Sequence, residues 1–550
     1  MSLSRPHSFD IPEETARVAR DAFPKGNTYM TMRDELGPLF NDGDFVALFS
    51  PQGQAGESPA ILAIVTVLQY MEGLTDRQAA EGVRSRIDWK YLLGLPLTDP
   101  GFHYSLLSPF RDRLLEGGKE ALLLDRILER LKEHGLLKGK RQQRTDSTHV
   151  LAAVRNLNRL ECVGETMRRV LDDLARVAPD WLLEQITPDW FDRYGKRFEA
   201  YRLPKEKAKQ EALQVQIGQD GSHLLQAIYG EDSPSWLREI PSVGVMCRVW
   251  VQQYYTEGDQ IRWRDDEELP PHKLLIVSPD DVEARNRTKR ETNWTGYVVH
   301  LTETCSRATP NIITHVETTP ATVTDGAMVD TIHQALANKD LLPEEHLADT
   351  AYVSVDNLLD ARQKHNVDMV GPVGGGGSWQ AKTDKGFDVS CFAIDWENQI
   401  VTCPQGRQNQ SWHIRHEKYG HEYIEARFDP ADCQACPHRS DCTRSKRSVR
   451  TVTFKPQAEY EALQAARERQ KTEAFKQKYK KRAGVEGTIS QGTRTFDLRR
   501  SRYLGLAKTH LQHLATAAAI NLTRVVSWLE EEGRPKTSPY CSPFVALVPT

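Results

Sequence analysis

The chain has 550 residues, which exceeds one ordinary domain and predicts roughly two to four compact units. Hydrophobic residues make up 39 % of the sequence, so a packed core is expected and a disordered chain is excluded. The net charge of −4 excludes a protein that attracts nucleic acid through its overall charge, so any such surface must come from local basic clusters.

The start of the chain, MSLSRPHSFD, has no apolar run and predicts no signal peptide. The longest apolar stretch, residues 60–71, is too short to span a bilayer and is typical of a buried helix. We therefore expect a cytoplasmic protein that makes no membrane contact. Most of its nine cysteines should be reduced in that compartment.

Residues 1–138 are predicted to form an N-terminal helical region. Apolar residues recur there at helical spacing in four segments, at 60–70, 74–92, 105–115 and 120–137. Thr75 is the expected N-cap of the second segment, because a threonine hydroxyl can accept from the free backbone N–H groups at a helix start.

The segment 74–92 allows two interpretations. One is a helix-turn-helix that contacts DNA, with Gly82 at its turn, and it makes the N-terminal region the candidate DNA-binding region. The other is an ordinary helical hairpin in a small core. Trp89 and Tyr91 are expected to be core residues.

A mixed α/β core is predicted at residues 139–373, interrupted by a helix-rich insertion at 153–245. The predicted strands lie at 142–152, 294–303, 311–318, 346–351 and 367–373, and the predicted helices among them lie at 325–338 and 355–363. This order predicts a mixed sheet with helices on its faces. Trp294 and Tyr297 are expected in the sheet core rather than as base-stacking groups.

The glycine-rich segment GPVGGGGSW, residues 371–379, is predicted to be a flexible joint. Residues 374–475 then form a polar, cysteine-bearing insertion, and residues 476–530 return to the core. A charged helix is predicted at 458–482 and a long last helix at about 504–529. The tail, residues 531–550, is expected to be loose.

Two aspartates follow β-like runs, Asp146 in RTDSTH and Asp349 in LADTAY. An aspartate in this position is, taken alone, more often a turn residue or a helix cap. Phosphodiester chemistry, however, can use two metal ions held by a few carboxylates, and strand ends hold such side chains rigidly. Because magnesium prefers oxygen ligands, both aspartates are candidate ligands for it.

A third acid belongs to a more informative pattern. Tyr479, Arg482 and Glu486 spell Y-x2-R-x3-E, and residues three or four apart share one face of a helix. The pattern predicts a carboxylate that meets the metals while the arginine and the tyrosine face a phosphate. A solvated helix with an ordinary Arg–Glu pair explains the same spacing, so both interpretations stay open.

Four cysteines bunch together in the polar insertion. Cys403 lies in TCPQGR, and Cys433, Cys436 and Cys442 form C-x2-C-x5-C. Four thiolates at this spacing suit a closed tetrahedral zinc site that stabilises a small module. Reduced cysteines without metal and an iron–sulfur cluster are the alternatives. The substitute ligands nearby are Cys391, His413 and His438.

Basic residues far outnumber acids between residues 439 and 482. Such a run is usually a solvated helix face, but this one leads directly to Glu486 and so favours contact with DNA phosphates. A second basic cluster precedes the last helix and contains Arg499, Arg500, Arg502 and Tyr503. His149, close to the first acid, is interpreted as a packing residue rather than a base.

Several stretches of the chain resemble one family. They are RTDSTHVLAAVRNLNRLE around Asp146, SPDDVEARNRTKRETNWTGYVVHLTET at 278–304, HLADTAYVS around Asp349, and RAGVEGTISQ with LRRSRYLGLAKTHLQH at 482–513. Through them the chain resembles bacterial insertion-sequence transposases with the acidic triad called DDE. Within these it resembles the insertion-sequence 1182 family of the wider IS-four-like group.

The resemblance implies a ribonuclease-H-like α/β core that cleaves DNA at transposon ends and transfers strands into target DNA. It implies that Asp146, Asp349 and Glu486 are catalytic and hold two Mg2+ ions, which Mn2+ can replace. The implied partners are double-stranded DNA, as terminal inverted repeats and as target, and a second copy of the chain, since two ends must be cut.

The wider group's signature is Y-x2-R-x3-E-x6-K, and the chain departs from it at the last position. Thr493 stands where the lysine is expected. Tyr479 and Arg482 match the signature and are implied to face the phosphate. The phosphate contact that the lysine would make must then come from a nearby basic residue. The candidates are Arg494, Arg499, Arg500 and Lys508.

Three other functions fit parts of the sequence. A metal nuclease of the same fold would cut DNA without joining strands. A transposase descendant that has lost activity would bind DNA, although three intact acids argue against it. A cytosolic zinc-module scaffold would explain the cysteines but leaves Y-x2-R-x3-E unexplained.

Overall fold

The structure is a computed structural model. It describes residues 7–50, 52–53, 56–138, 140–258, 260–306, 308–374, 378–383, 386–417, 420–445 and 449–532. The predicted loose tail lies outside these residues from 533 onward, and so does the centre of the predicted glycine joint, residues 375–377.

The N-terminal region is helical, as predicted. Its helices are α1 (Glu13–Ala22), α2 (Thr28–Leu36), α3 (Pro59–Met71), α4 (Asp76–Ser85), α5 (Ile87–Leu93), α6 (Leu107–Glu116) and α7 (Leu122–Glu133). Helix α3 is buried along nearly its whole length, in agreement with its apolar sequence. The Thr75 side chain accepts from the backbone N–H of Gln78, which confirms the predicted N-cap of α4.

The break between α4 and α5 falls at Arg86, so the prediction of a turn at Gly82 is wrong. Gly82 instead lies against Trp89, where an added Cβ would come within 2.9 Å of the indole ring. The glycine therefore serves close packing rather than a turn. Trp89 and Tyr91 are fully buried, which confirms them as core residues.

Strand β1 (Gln142–Leu151) opens the α/β core, and the predicted helical insertion follows it. The insertion contains α8 (Arg159–Val177), α9 (Pro179–Gln185), α10 (Asp189–Tyr194), α11 (Lys207–Ile228) and α12 (Pro241–Gln253), and it leads into the hairpin of β2 (Tyr254–Glu257) and β3 (Gln260–Trp263). Trp190, Trp250 and Tyr254 belong to a hydrophobic cluster drawn almost entirely from these elements. The insertion therefore has a core of its own.

Among the described residues, five further strands join β1 in a mixed sheet. They are β4 (Arg285–Lys289), β5 (Thr292–Thr304), β6 (Ile313–Pro320), β7 (Glu345–Leu347) and β8 (Asp368–Val370). Strand β5 pairs antiparallel with β1, β4 and β6, whereas β7 is parallel to both β1 and β8. Helices α13 (Val329–Asn338) and α14 (Val355–His365) lie between β6 and β8 in the chain. The predicted mixed α/β sheet is confirmed, although β7 and β8 are shorter than predicted.

Trp294 and Tyr297 of β5 are buried, which confirms their expected place in the core. The parallel register also locates the two aspartates. Arg144 of β1 pairs with Leu347 of β7, and each aspartate comes two residues later in the same direction. Asp146 and Asp349 therefore lie side by side where the parallel pairing ends. Asp146 does not end its strand, because β1 continues along β5 to Leu151.

The cysteine-bearing region is a small β unit with its own core. It contains β9 (Ala393–Asp395), β10 (Ile400–Thr402), β11 (Asn409–His416), β12 (Glu422–Phe428), α15 (Pro430–Gln434), α16 (Arg439–Cys442) and β13 (Thr451–Phe454). Strands β11, β12 and β13 form one antiparallel sheet, and β9 pairs with β10. Phe392, Phe428 and Phe454 fill its core.

The end of the described chain returns to the main core. The charged helix predicted at 458–482 is two helices, α17 (Gln457–Lys471) and α18 (Glu473–Lys480), because the Thr472 side chain accepts from a backbone N–H and caps the second. They are followed by α19 (Gly484–Thr495) and by the predicted long helix, α20 (Leu506–Glu532).

Helix α20 joins the N-terminal helices to the sheet. Its central residues Ala515, Ala518 and Ala519 are fully buried, so α3 and β6 can pack closely against it. The N-terminal helices, the sheet and α20 consequently share one hydrophobic core. Among the helices that the structure describes, none is long and apolar enough to cross a membrane.

Candidate active site

The three predicted acids come from separate parts of the chain. The Asp146 side chain, in β1, is 14 % exposed and accepts from the backbone N–H of Ser147 at 2.8 Å. Asp349, in the loop after β7, accepts from the backbone N–H of Ala351 at 2.9 Å. Glu486 lies in the first turn of α19, and its side chain is 60 % exposed. Local backbone contacts therefore hold the two aspartates, whereas Glu486 is freer.

Arg482 joins two of these acids. It lies in the turn Lys481–Ala483 between α18 and α19. Its Nη2 lies 2.6 Å from Asp146 Oδ2, and its Nη1 lies 2.6 Å from Glu486 Oε1. The Arg–Glu pair that the spacing allowed is therefore formed, but the same guanidinium also reaches the sheet.

Negative charge is concentrated around Asp146. Its pKa is raised to about 6, chiefly by burial. The carboxylates of Asp349 and Glu486 add to this rise, and the Arg482 guanidinium opposes it. The pKa of Tyr479 is also raised, first by burial and then by the same three acids. Asp349 and Glu486 are therefore both close enough to act on Asp146.

The chemistry of this donor set fits a divalent cation. Three carboxylates offer the oxygen ligands that Mg2+ prefers, and a cation would relieve the repulsion that helps to raise the pKa of Asp146. Arg482 supplies positive charge between Asp146 and Glu486. In the described part of the chain, no three acidic, histidine or cysteine side chains are gathered tightly enough to hold a metal ion as they stand.

A cavity of about 390 Å³ opens beside two of the acids. Its lining consists of Asp146, Ser147, Thr148, Glu486, Ile489, Ser490, Thr493, Arg494 and Arg499. Arg499 Nε donates to Thr148 Oγ1 at 2.8 Å, so its guanidinium is anchored to β1. Arg494 follows Thr493, which occupies the position of the signature lysine. Two guanidinium groups therefore supply positive charge where that lysine is missing.

The other predicted phosphate-binding residues lie elsewhere. Arg500 is exposed and does not line this cavity. Lys508 Nζ lies 2.9 Å from Asp112 Oδ1, so it pairs with α6. Tyr479 is half-buried and stacks on Phe475, with ring centroids 5.8 Å apart. The structure thus brings Arg494 and Arg499, but not Arg500 or Lys508, to the cavity.

His149 packs beside the sheet rather than at the acids. Its ring centroid lies 5.5 Å from that of Trp294. Burial lowers the pKa of His149, and the charge of Arg499 lowers it further. These contacts support the interpretation of His149 as a packing residue.

Sequence reasoning missed a buried ionic cluster next to the acids. Glu303 of β5 is fully buried and pairs with Arg144 of β1 and Arg524 of α20. The signal in the sequence was a glutamate inside the β-rich run WTGYVVHLTE, since a carboxylate at a buried strand position requires charged partners. Its partners could not be named from the sequence, because they lie far away in the chain.

The four predicted zinc ligands converge on a second cavity. Cys403, Cys433, Cys436 and Cys442 all line a space of about 230 Å³ in the small β unit, and their thiols are free. The pKa of Cys442 is raised to about 11 by burial, and the other three thiols contribute to the rise. The substitute ligands Cys391, His413 and His438 do not line this cavity. The donor chemistry fits zinc, although the thiols of these described residues are not close enough together to hold a metal ion as they stand.

Two family models match parts of the chain. One, described as a Transposase DDE domain, matches residues 402–526, and the other, described as a Transposase domain (DUF772), matches residues 17–113. These matches support the interpretation of the chain as an insertion-sequence DDE transposase. The match to the DDE domain contains Arg482, Glu486 and the four clustered cysteines, and the second match runs from within α1 to within α6. No curated protein matches the chain.

Proposed function

We propose that the chain is a transposase like those of the insertion-sequence 1182 family, which cuts DNA strands at transposon ends and joins the freed ends to target DNA. The observation that carries the proposal is that Asp146 and Glu486, from distant parts of the chain, bind one arginine and line one cavity, while Asp349 lies beside Asp146 where the parallel pairing ends. The two transposase matches support it independently.

Asp146, Asp349 and Glu486 would hold two Mg2+ ions, which Mn2+ can replace. When bound, the metal neutralises charge on the attacking and leaving oxygens and activates the attacking one. Burial of Asp146 and the charge of its neighbours favour a cation there, because an isolated carboxylate is poorly solvated in that position.

The chain's own basic residues would hold the DNA backbone. Arg482, which donates to Asp146 and Glu486, would add positive charge beside the phosphate, and Arg494 and Arg499 line the cavity that those two acids share. A water oxygen first attacks the phosphorus at the transposon end, and the 3′ oxygen leaves as a free hydroxyl. That hydroxyl then attacks a target phosphorus and gives its proton to solvent, and the target's own 3′ oxygen leaves and takes up a proton from solvent to become a hydroxyl.

We also propose a ribonuclease-H-like fold for the core. The support is a mixed sheet in which β1 lies between an antiparallel and a parallel neighbour and carries the first acid. The N-terminal helices would bind double-stranded DNA at the terminal inverted repeats. The active complex would contain two copies of the chain in the cytoplasm, associated with the nucleoid, because two transposon ends must be cut.

The cysteine cavity would hold a structural Zn2+ ion. The support is that Cys403 reaches the same space as the C-x2-C-x5-C cysteines, from a different strand region of the small β unit. Four thiolate ligands leave no open position, so the role of this site is structural.

The decisive experiment uses DNA that flanks the protein's own gene, with Mg2+ or with EDTA. Cleavage at the element's ends only with Mg2+ is expected. Pre-cut ends supplied with a target plasmid separate a transposase, which joins them, from a nuclease, which does not. Binding without cleavage would instead identify an inactive transposase descendant.

A further inference from the structure

We propose that Glu303, Arg144 and Arg524 form a buried clamp that positions α19, and thereby Glu486, relative to Asp146. The catalytic consequence rests on the proposed function. The contacts do not, because they are features of the fold whatever reaction the site performs.

Glu303 is the centre of the clamp. Its side chain is fully buried, and Arg144, its cross-strand neighbour on β1, donates from Nε to Oε1 at 2.7 Å. Arg524 of α20 donates from Nη1 to Oε2 at 2.8 Å. Thr488 of α19 donates its hydroxyl to the same oxygen at 2.6 Å. One carboxylate therefore links two strands and two helices.

Arg144 carries the clamp to the start of α19. Its Nη1 donates to the carbonyl oxygen of Lys481 at 2.6 Å, next to Arg482 in the same turn. Its guanidinium also lies against Gly484, where an added Cβ would come within 2.1 Å of Nη1. The turn before α19 and the first residue of α19 therefore both contact the buried side chain of Arg144.

Arg524 holds the next turns of α19. Its Nη2 donates to Thr488 Oγ1 at 2.6 Å, and its Nε donates to Gln491 Oε1 at 2.9 Å. The clamp therefore makes repeated contacts from Lys481, in the turn before α19, to Gln491 within α19. A helix held along its first two turns in this way has little freedom to slide or rotate.

The arrangement suits positioning better than stability alone. Two guanidinium groups and one carboxylate lose most of their hydration here, and an apolar cluster of similar volume is often as stable as a buried ion cluster. The charged groups differ from an apolar cluster because their hydrogen bonds are directional, and each bond fixes the position of one part of α19 or of the turn before it. The same helix carries Glu486, whose side chain has no backbone partner among the described residues and depends on its helix for its position.

The test compares two glycines of the same helix. In Gly484→Ala the new methyl group collides with the Arg144 guanidinium, whereas in Gly487→Ala it meets no atom of the described residues within 4 Å. Both residues are helical and exposed, and replacing glycine by alanine restricts the unfolded chain to the same extent in the two variants. Gly487→Ala is therefore a matched control.

We expect Gly484→Ala to reduce the strand-transfer rate at saturating DNA by about 100-fold, the scale of a misplacement of about 1 Å. DNA affinity and the circular dichroism spectrum should not change. Amides of residues 484–491 should exchange hydrogen faster in this variant than in Gly487→Ala. Thr488→Val, which removes the hydroxyl link to Glu303 with little change of shape, should reduce the rate in the same way.

Equal rates and equal exchange in the two alanine variants would overturn the proposal, and so would a full rate in Thr488→Val. If the wild-type protein neither cuts nor joins DNA with Mg2+, the proposed function fails. The exchange comparison then decides alone whether the clamp positions α19.

Discussion

Asp146 and Arg482 are separated by 336 positions in the chain, yet Arg482 Nη2 lies 2.6 Å from Asp146 Oδ2. The contact joins the middle of β1 to the turn between α18 and α19. It places the Y-x2-R-x3-E segment beside the strand that carries the first acid. Substitutions on either side of this contact therefore test one site.

Asp146→Asn, Asp349→Asn and Glu486→Gln should each reduce strand cleavage by at least about 10⁴-fold, because acids that act as a unit cannot replace one another. DNA affinity should be retained. Gel assays of cleavage and of DNA binding measure the two effects. Glu473→Gln, at an exposed position of α18, is the control and should cleave normally. An Asp349→Asn protein that cleaves at the wild-type rate would contradict the assignment.

Arg494→Gln and Arg499→Gln should each weaken DNA binding to a similar extent for all sequences. Each lost phosphate contact should reduce the slope of log affinity against log salt by about 1. Fluorescence anisotropy over a series of salt concentrations measures this slope. Lys207→Gln, at a 90 % exposed side chain of the helical insertion, should leave it unchanged. If both arginine variants have the same slope as the wild type, these two residues do not contact DNA phosphates.

The purified protein should contain about one zinc ion per chain, since four thiols suit one tetrahedral site. Cys433→Ser should lose the metal and lower the melting temperature, because the small β unit loses its cross-link. Atomic absorption and thermal unfolding provide the measurements. Cys247→Ser, on α12 and away from the cavity lining, should keep both the metal and the melting temperature. A wild-type protein without zinc would favour the alternative of reduced, metal-free cysteines.

Gly82→Ala should destabilise the protein by about 1–3 kcal/mol, the usual effect of overpacking a core. The reason is the approach of 2.9 Å between the added Cβ and the Trp89 ring. In Gly244→Ala, in α12, the added Cβ meets nothing within 4 Å in the described part of the chain, so the change should be neutral or slightly stabilising. Urea unfolding compares the two variants. If Gly82→Ala is as stable as Gly244→Ala, Trp89 moves aside at little cost in the free energy of unfolding.

Acid should destabilise the fold through buried histidines. Burial, with some help from the charge of His365, lowers the pKa of His333 to about 4, while its unfolded value is 6.5. Between these values the unfolded chain binds more protons, so this contribution is present above about pH 6.5 and is lost as the pH falls towards 4. The full effect is roughly 3 kcal/mol.

Urea unfolding at pH 7 and at pH 4.5 measures this dependence. His333→Asn should show a smaller loss of stability between the two values than the wild type does. His416→Asn, at a side chain that is 63 % exposed, is the control and should keep the wild-type loss. An unchanged pH dependence in His333→Asn would contradict the prediction.

Local spacing was enough to predict most elements of this protein. The apolar run of α3, the Thr75 cap of α4, the β-rich run of β5 and the long α20 were all readable, because each depends on residues within a few turns. The same holds for the Arg482–Glu486 pair, whose partners lie one helical turn apart.

Only the tertiary structure decided which distant groups meet. It placed Arg494 and Arg499 at the acidic cavity and paired Lys508 with α6. From the sequence alone, all three were equally good candidates for the missing phosphate contact. The tertiary structure also located Glu303 between two arginines from opposite ends of the core. The physical reason is that such contacts depend on strand register and helix packing between segments hundreds of residues apart, which local periodicity does not encode.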